Sequence, residues 1–224
     1  ASSEWLPRDV WMRGSRQLPP EVQTAPCTVS VVMSATRDLT CIGLAWRVPQ
    51  GVAAHVISWA PQGAIERGPR SLLYRRWVAA GALRVMPGDY IQPELVVDEL
   101  QRIAASYRVR AIFLDPWGAR GMVPALSAAG LRVVEQPMTA RHQDGLIRRV
   151  EELAYAGRLI HSPDPVLDYA VSQVRVEASQ TGRRLVKPTE HVPIDPAVAL
   201  VMAVGHVDTE LPWEQLAEPQ IVWI

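Results

Sequence analysis

Short apolar runs separated by polar turns dominate the first third of the chain. These runs are rich in β-branched residues, and strands that follow closely in sequence pair readily, so they predict an antiparallel three-stranded meander. Beyond residue 70 the spacing alternates between helical segments and short strand-like runs, which is typical of βαβ units. The predicted strands cover residues 28–33, 39–48, 52–59, 83–86, 110–114 and 131–134, followed by a hairpin of 174–178 and 184–187. The predicted helices cover residues 71–80, 93–107, 119–129, 144–156, 166–174 and 196–204.

This pattern predicts a mixed α/β fold, in which an antiparallel three-strand meander is continued by parallel strands and flanked by helices. We assign this domain to residues 28–206. Residues 1–27 contain two Trp and a Pro pair but no clear period, so we predict an N-terminal arm or linker. Residues 207–224 form an acidic C-terminal tail with four carboxylates and no Lys or Arg. The tail either packs on its own domain or reaches a partner, and both alternatives stay open.

Composition excludes several classes of protein. Of the 224 residues 48% are apolar, which is too many for a disordered chain and enough for the core of one domain. No apolar stretch is long enough to span a membrane, and the N-terminus lacks the basic start and apolar run of a signal peptide. Cys27 and Cys41 form no CxxC pair, which fits a reducing compartment.

The net charge of zero hides an uneven distribution. The chain has 23 basic and 23 acidic residues, but four of the acids lie in the tail, so residues 1–206 carry a net charge of +4. Every basic residue except Lys187 is an Arg, whose guanidinium can grip phosphates in a bidentate way. This balance permits a DNA partner, although it argues against strong, indiscriminate DNA binding by this chain alone.

The candidate chemistry is that of carboxylates. The chain has no GxxxxGK(S/T) motif and therefore no predicted ATP site, and it has neither a zinc-binding spacing nor a GxSxG elbow. Asp115 follows the apolar run AIFL, Asp195 precedes an apolar helix, and Asp38 lies before the second strand. Each of them can equally be a turn or helix-capping residue. Gathered in one place, the three carboxylates would need Mg²⁺ or Mn²⁺ between them, and two such ions can promote phosphodiester hydrolysis.

The order of several segments resembles the nuclease domain of the large terminase subunit, the DNA-packaging motor of tailed bacteriophages. The matching segments are WLPRDVW, SATRDLTCIGL, AIFLDPWGARGMVPAL, AAGLRVVEQ, AYAGRLIHSPDPVL and VPIDPAVALVMAVG. The resemblance covers most of the chain. It implies a ribonuclease H-like fold, a two-metal Mg²⁺ or Mn²⁺ site, and endonucleolytic cutting of concatemeric double-stranded DNA during genome packaging.

One position departs from the family pattern. Asp115 and Asp195 match two of the family's metal-binding acids, but the family's first acid, six residues before the Asp of the Asp-Leu-Thr segment, falls on Val32. An apolar side chain cannot bind a hard cation. Three explanations stay open: Asp38 takes over as a catalytic, metal-binding acid, the site has decayed to a DNA-binding or partner-binding module, or the residue was changed in this copy of the sequence. We favour a weakened or rewired site.

Two groups of basic residues are candidates for contacts with the DNA backbone. An ordinary solvated surface is the alternative for both groups. The first group, in the predicted hairpin, is Arg183, Arg184 and Lys187, and the second is Arg141, Arg148 and Arg149.

The resemblance also implies partners and a place of action. It implies double-stranded DNA, a terminase ATPase domain, the portal protein and the small terminase subunit as partners, in the cytoplasm of the infected bacterial host and away from membranes. Because the chain has no P-loop, we expect that the motor half was excised or lies on another chain, and the start at Ala1 within a linker favours excision. Another ribonuclease H-like enzyme, such as a transposase or junction resolvase, is a further alternative.

Overall fold

A mixed seven-stranded sheet forms the centre of the molecule in the computed structural model, which describes residues 2–34, 38–211 and 214. Its strand order is β5-β4-β3-β2-β6-β7, with β8 beside β4. The strands β2, β3 and β4 pair antiparallel, whereas β6, β7, β5 and β8 join in parallel, so the predicted meander and mixed sheet are confirmed. The seven strands are β2 (Pro26–Val32), β3 (Thr40–Val48), β4 (Gly51–Pro61), β5 (Arg84–Met86), β6 (Arg108–Leu114), β7 (Val133–Glu135) and β8 (Leu159–His161).

A second, three-stranded antiparallel sheet has the order β1-β9-β10. Its strands are β1 (Ser2–Glu4), β9 (Arg175–Ser179) and β10 (Gly182–Val186), so the predicted hairpin is present. The helices, with two 3-10 turns at Pro20–Gln23 and Arg120–Met122, surround both sheets. They are α1 (Arg8–Met12), α2 (Gln62–Arg67), α3 (Ser71–Ala79), α4 (Pro93–Ser106), α5 (Pro116–Ala119), α6 (Val123–Ala128), α7 (Ala140–Tyr155), α8 (Pro165–Gln173) and α9 (Asp195–Gly205). None of the helices among the described residues is long and apolar enough to cross a membrane.

Alternating side chains of the central strands supply two cores, one on each face of the large sheet. Val29 and Val31 of β2 belong to the core on the α4 side, whereas Val32 belongs to the core that contains α7, α8 and α9. The apolar run of β6 is buried on both faces, as expected for a central parallel strand. Residues that follow the carboxyl ends of β2 and β6 therefore lie between two packed layers, at the edge where open α/β sheets place their sites.

Several helix boundaries differ from the sequence prediction. In place of the predicted helix 119–129, the chain has a 3-10 turn at Arg120–Met122 followed by the shorter helix α6, which has Pro124 in its first turn. The short helix α5 comes before them, and within it Trp117 and Gly118 leave the helical conformation. The predicted helix 144–156 begins earlier, at Ala140. The short strands β1 and β8 and the short helices α1 and α2 were not predicted, because each is too short to show a period.

Residues 2–27, which the sequence pattern assigned to an arm, pack on the domain. Strand β1 pairs with β9, and the side chains of Trp5 and Trp11 are buried. The Trp11 ring stacks on His161 with 3.7 Å between ring centroids, and its indole N–H donates to Asp168 at 2.8 Å. The segment shows no sequence period because isolated aromatic anchors, rather than one repeated apolar face, hold it in place.

The beginning of the acidic tail also packs on the domain. Val207 and Leu211 are buried, and Arg110 donates to the backbone oxygens of Val207 and Thr209 and to the carboxylate of Glu214. These contacts favour, for residues 207–211 and 214, the alternative in which the tail packs on its own domain. The rest of the tail, with the apolar end IVWI, lies outside the described residues.

Helix α9 approaches the sheet closely because small residues line the contact. The Ser30 hydroxyl donates to the backbone oxygen of Ala199 at 2.6 Å, and a Cβ added to Gly43 of β3 would lie 2.4 Å from that oxygen. The close approach fixes the beginning of α9, and with it Asp195, over the start of β3.

The Gly43→Ala variant is therefore expected to lower the free energy of unfolding by about 1–3 kcal/mol, since the added methyl group must displace backbone atoms. Equilibrium urea unfolding measures this loss. Gly121→Ala is the matched control, because a Cβ at Gly121 meets no other atom within 4 Å. An equal effect of both substitutions would contradict the close packing of α9.

Candidate functional site

Asp115 lies at the carboxyl end of the central strand β6. Its backbone N–H donates to Val31 of β2 at 3.2 Å, which continues the parallel pairing of Val31 with Leu114. The Asp115 carboxylate accepts the backbone N–H of Trp117 at 3.0 Å and so caps α5. The two predictions for Asp115, a capping residue and a site residue, are therefore compatible. Asp115 caps a helix, and it lies at the sheet edge where open α/β folds place their sites.

Val32 occupies the next position of β2, beside Asp115. It pairs with Cys41 of β3 on its other side, and only 6% of its surface is exposed. Its side chain packs in the core that contains α9. The position at which the resemblance predicts an acid is therefore a buried apolar contact in this chain.

Asp195 is the first residue of α9, and Ile194 rather than Asp195 is the N-cap. The Oδ2 atom of its carboxylate is buried without a hydrogen-bond partner among the described residues. Burial, and secondly the negative charge of Asp38, raise the pKa of Asp195 to about 6, although the charge of Lys187 acts in the opposite direction. The alternative prediction, that Asp195 is a plain N-cap, is therefore wrong. The Asp195 carboxylate instead has one buried oxygen without a hydrogen-bond partner among the described residues.

Asp38 is held by two cations, one on each carboxylate oxygen. Arg70, the residue directly before α3, donates to Oδ1 at 2.7 Å, and the Lys187 ammonium donates to Oδ2. Arg70 also donates to the hydroxyl of Tyr74, one helical turn further along α3, at 2.8 Å. Sequence reasoning missed Arg70 and Tyr74, although their i,i+4 spacing on a helix places them on one face.

The side-chain oxygens that are free to bind a cation determine which kind of metal site the chain can form. Among residues 2–34, 38–211 and 214, no group of three or more His, Cys, Asp and Glu side chains is placed to hold a metal ion. Val32 offers no oxygen, and both oxygens of Asp38 are engaged by cations. Asp115 and Asp195 remain. The orphaned Oδ2 of Asp195 fits a cation ligand, whereas a complete two-metal carboxylate set does not fit these residues.

The predicted DNA contacts are mostly engaged within the chain. Arg183 binds Asp144 and Glu151, which lie on α7 beside the hairpin. Similarly, Arg148 pairs with Asp144, Arg149 with Asp208 and Glu152, Arg184 with Glu177, and Lys187 with Asp38. Arg141 is exposed and has no ion pair in the part of the chain that the structure describes.

Comparisons with known proteins identify the family. Residues 1–210 match the family model described as the terminase large subunit, endonuclease domain. The large terminase subunit of Enterobacteria phage HK97 is 29% identical over 185 residues, which cover 80% of this chain and 37% of that protein. The chain thus spans well under half the length of this relative.

Solved structures agree. The crystal structure of the HK97 large terminase superposes with a TM-score of 0.80 at 25% identity, covering 92% of this chain and 44% of that one. The large terminase nuclease of the thermophilic phage G20c with bound magnesium has a TM-score of 0.59 at 12% identity, covering 88% and 93%. The ribonuclease H-like mixed sheet expected from the sequence is confirmed by these superpositions. The chain belongs to the endonuclease-domain family of terminase large subunits.

Proposed function

We propose that this chain is the DNA-cutting domain of a phage packaging terminase, and that its cutting is weakened because the metal centre has lost one acid. The observation that carries the proposal is the buried, unpartnered Oδ2 of Asp195 at the functional edge of the sheet, where Asp115 ends β6. Asp115 and Asp195 would hold one divalent ion, Mg²⁺ or Mn²⁺. A second ion would need the carboxylate that Val32 does not supply.

The chain's own residues have separate tasks in this proposal. Helix α9, packed closely against β2 and β3, holds Asp195, whose Oδ2 atom has no hydrogen-bond partner among the described residues. Asp115 is fixed by its cap bond to Trp117. When bound, a divalent ion supplies Lewis-acid stabilisation of the leaving oxygen and a more acidic water. With two carboxylates instead of three, the ion is held more weakly.

Double-stranded DNA is the proposed substrate. The arginines of the hairpin and of α7 would exchange their carboxylate partners for backbone phosphates, which predicts binding that weakens steeply with salt. The proposed partners in the infected host cell are a terminase ATPase domain, the portal protein and the small terminase subunit. The net charge of this chain is zero, so we expect a partner motor to hold the DNA during cutting.

A second candidate function is a DNA-binding or partner-binding module without catalysis. The buried Val32 and the cation-held Asp38 favour it, since both remove potential ligands. The two functions differ in whether any metal-dependent cutting survives.

Nicking of supercoiled plasmid with Mn²⁺ tests the proposal. We expect slow nicking by the unaltered chain, and a loss of nicking to the level without metal in Asp115→Asn, because one of two remaining ligands is removed. Asp98→Asn, an exposed position on α4, is the matched control and should cut like the unaltered chain. If the unaltered chain retains DNA in a salt-sensitive way but nicks no more than Asp115→Asn, the binding module is the correct function.

A further inference from the structure

Lys187 is the one lysine of the chain, and it spans the fold to reach Asp38, 149 residues earlier in sequence. The contact is sheltered: the side chains of Lys187, Asp38 and Arg70 are 30%, 24% and 10% exposed. Lys187 directly follows β10 and precedes Pro188, so the hairpin delivers its ammonium group to the functional edge. Sequence reasoning expected this lysine to contact DNA instead.

The Lys187 ammonium group lies close to the negative charges of Asp38 and Asp195. Asp38 and Asp195 are close enough for the charge of one to raise the pKa of the other, and the Lys187 charge lowers that same pKa. Arg70 binds the other oxygen of Asp38 and also donates to the hydroxyl of Tyr74. Lys187 binds Asp38 directly, and its charge also acts on Asp195.

We propose that the Lys187 ammonium is a built-in cation that balances Asp38 and Asp195 and keeps Asp38 out of the set of metal ligands. The inference rests on the proposed function only for the location of the metal centre. An ammonium group neutralises carboxylates without the fixed coordination geometry of a divalent ion, and it cannot act as a Lewis acid. A chain that lacks an acid at position 32 can thereby stay folded with its acids close together but with little need for metal.

Thermal unfolding of the full chain, in EDTA and in millimolar MnCl₂ without DNA, tests this inference. In EDTA, Lys187→Gln should unfold at least ~3 °C below the unaltered chain, because Asp38 and Asp195 then repel each other. Mn²⁺ should raise the midpoint of Lys187→Gln by at least ~3 °C more than that of the unaltered chain, because Asp38 becomes available as a ligand. Lys187→Arg keeps the charge and should respond to Mn²⁺ like the unaltered chain.

The matched control is Arg102→Gln, which removes an exposed cation that pairs with Glu99 on α4. It should show no added response to Mn²⁺. An Mn²⁺ response of Lys187→Gln equal to that of the unaltered chain overturns the inference, and weaker DNA retention with unchanged stability would make Lys187 a DNA contact. If Lys187→Gln does not fold in EDTA, refolding on addition of Mn²⁺ supports the inference and failure to refold overturns it. Plasmid nicking is not part of this readout, so the proposed function can fail independently.

Discussion

The Val32→Asp variant is expected to nick supercoiled plasmid about 10–100-fold faster than the unaltered chain in Mg²⁺ or Mn²⁺. The new carboxylate would stand beside Asp115, because the parallel register of β2 and β6 continues from Val31 and Leu114 to these two positions. It would also face the core side that carries α9 and Asp195, since Val32 packs there now. The substitution therefore adds an oxygen donor beside Asp115, on the face of the sheet that carries α9.

This gain has a cost in stability without metal. A carboxylate at a position that is 6% exposed, close to two other acids, is unfavourable until a cation binds. We expect Val32→Asp to unfold at a lower temperature than the unaltered chain in EDTA and to recover in Mn²⁺. Val32→Asn is the matched control, because it introduces a polar side chain of the same shape without the charge. A folded Val32→Asp that binds Mn²⁺ without cutting faster would show that more than one ligand has been lost.

The Asp195→Asn variant is expected to lose metal-dependent nicking and, at the same time, to gain stability. In EDTA near neutral pH the free energy of unfolding should rise by about 1–3 kcal/mol, because a buried charge with an unsatisfied oxygen is removed without a change of shape. The raised pKa of Asp195 has the same cause. Urea unfolding and plasmid nicking measure the two effects on the same preparation.

Opposite signs for stability and activity distinguish a functional acid from a structural one. If Asp195 were a stabilising helix residue, its replacement would lower the free energy of unfolding, as loss of a cap does. Asp98→Asn should change neither quantity. A loss of stability in Asp195→Asn would therefore contradict the proposal that Asp195 is a metal ligand, even if nicking were lost too.

The fold was predictable from sequence wherever one element carried a repeated pattern. The meander and the buried run of β6 follow from apolar alternation and from β-branched composition, and the structure has them. The anchoring of residues 2–27 was not predictable, because Trp11 is held by Asp168 and His161, which lie more than a hundred residues away.

The candidate site was predictable only where a residue lies next to an element with a clear local pattern. Asp115 and Asp195 stand out locally, one after an apolar run and the other before an apolar helix. The engagement of Asp38 by Arg70 and Lys187 depends on contacts over 32 and 149 residues, which no local pattern records. Whether the six predicted basic residues touch DNA stays a prediction.

In the proposed site, Asp115 and Asp195 together hold a single divalent ion. The most direct measurement is a crystal of the unaltered chain soaked in MnCl₂, with anomalous scattering used to locate manganese. We expect one manganese ion between the two carboxylates, with Asp38 still bound to Arg70 and Lys187. Two ions, an ion bound to Asp38, or no ion at all would contradict it.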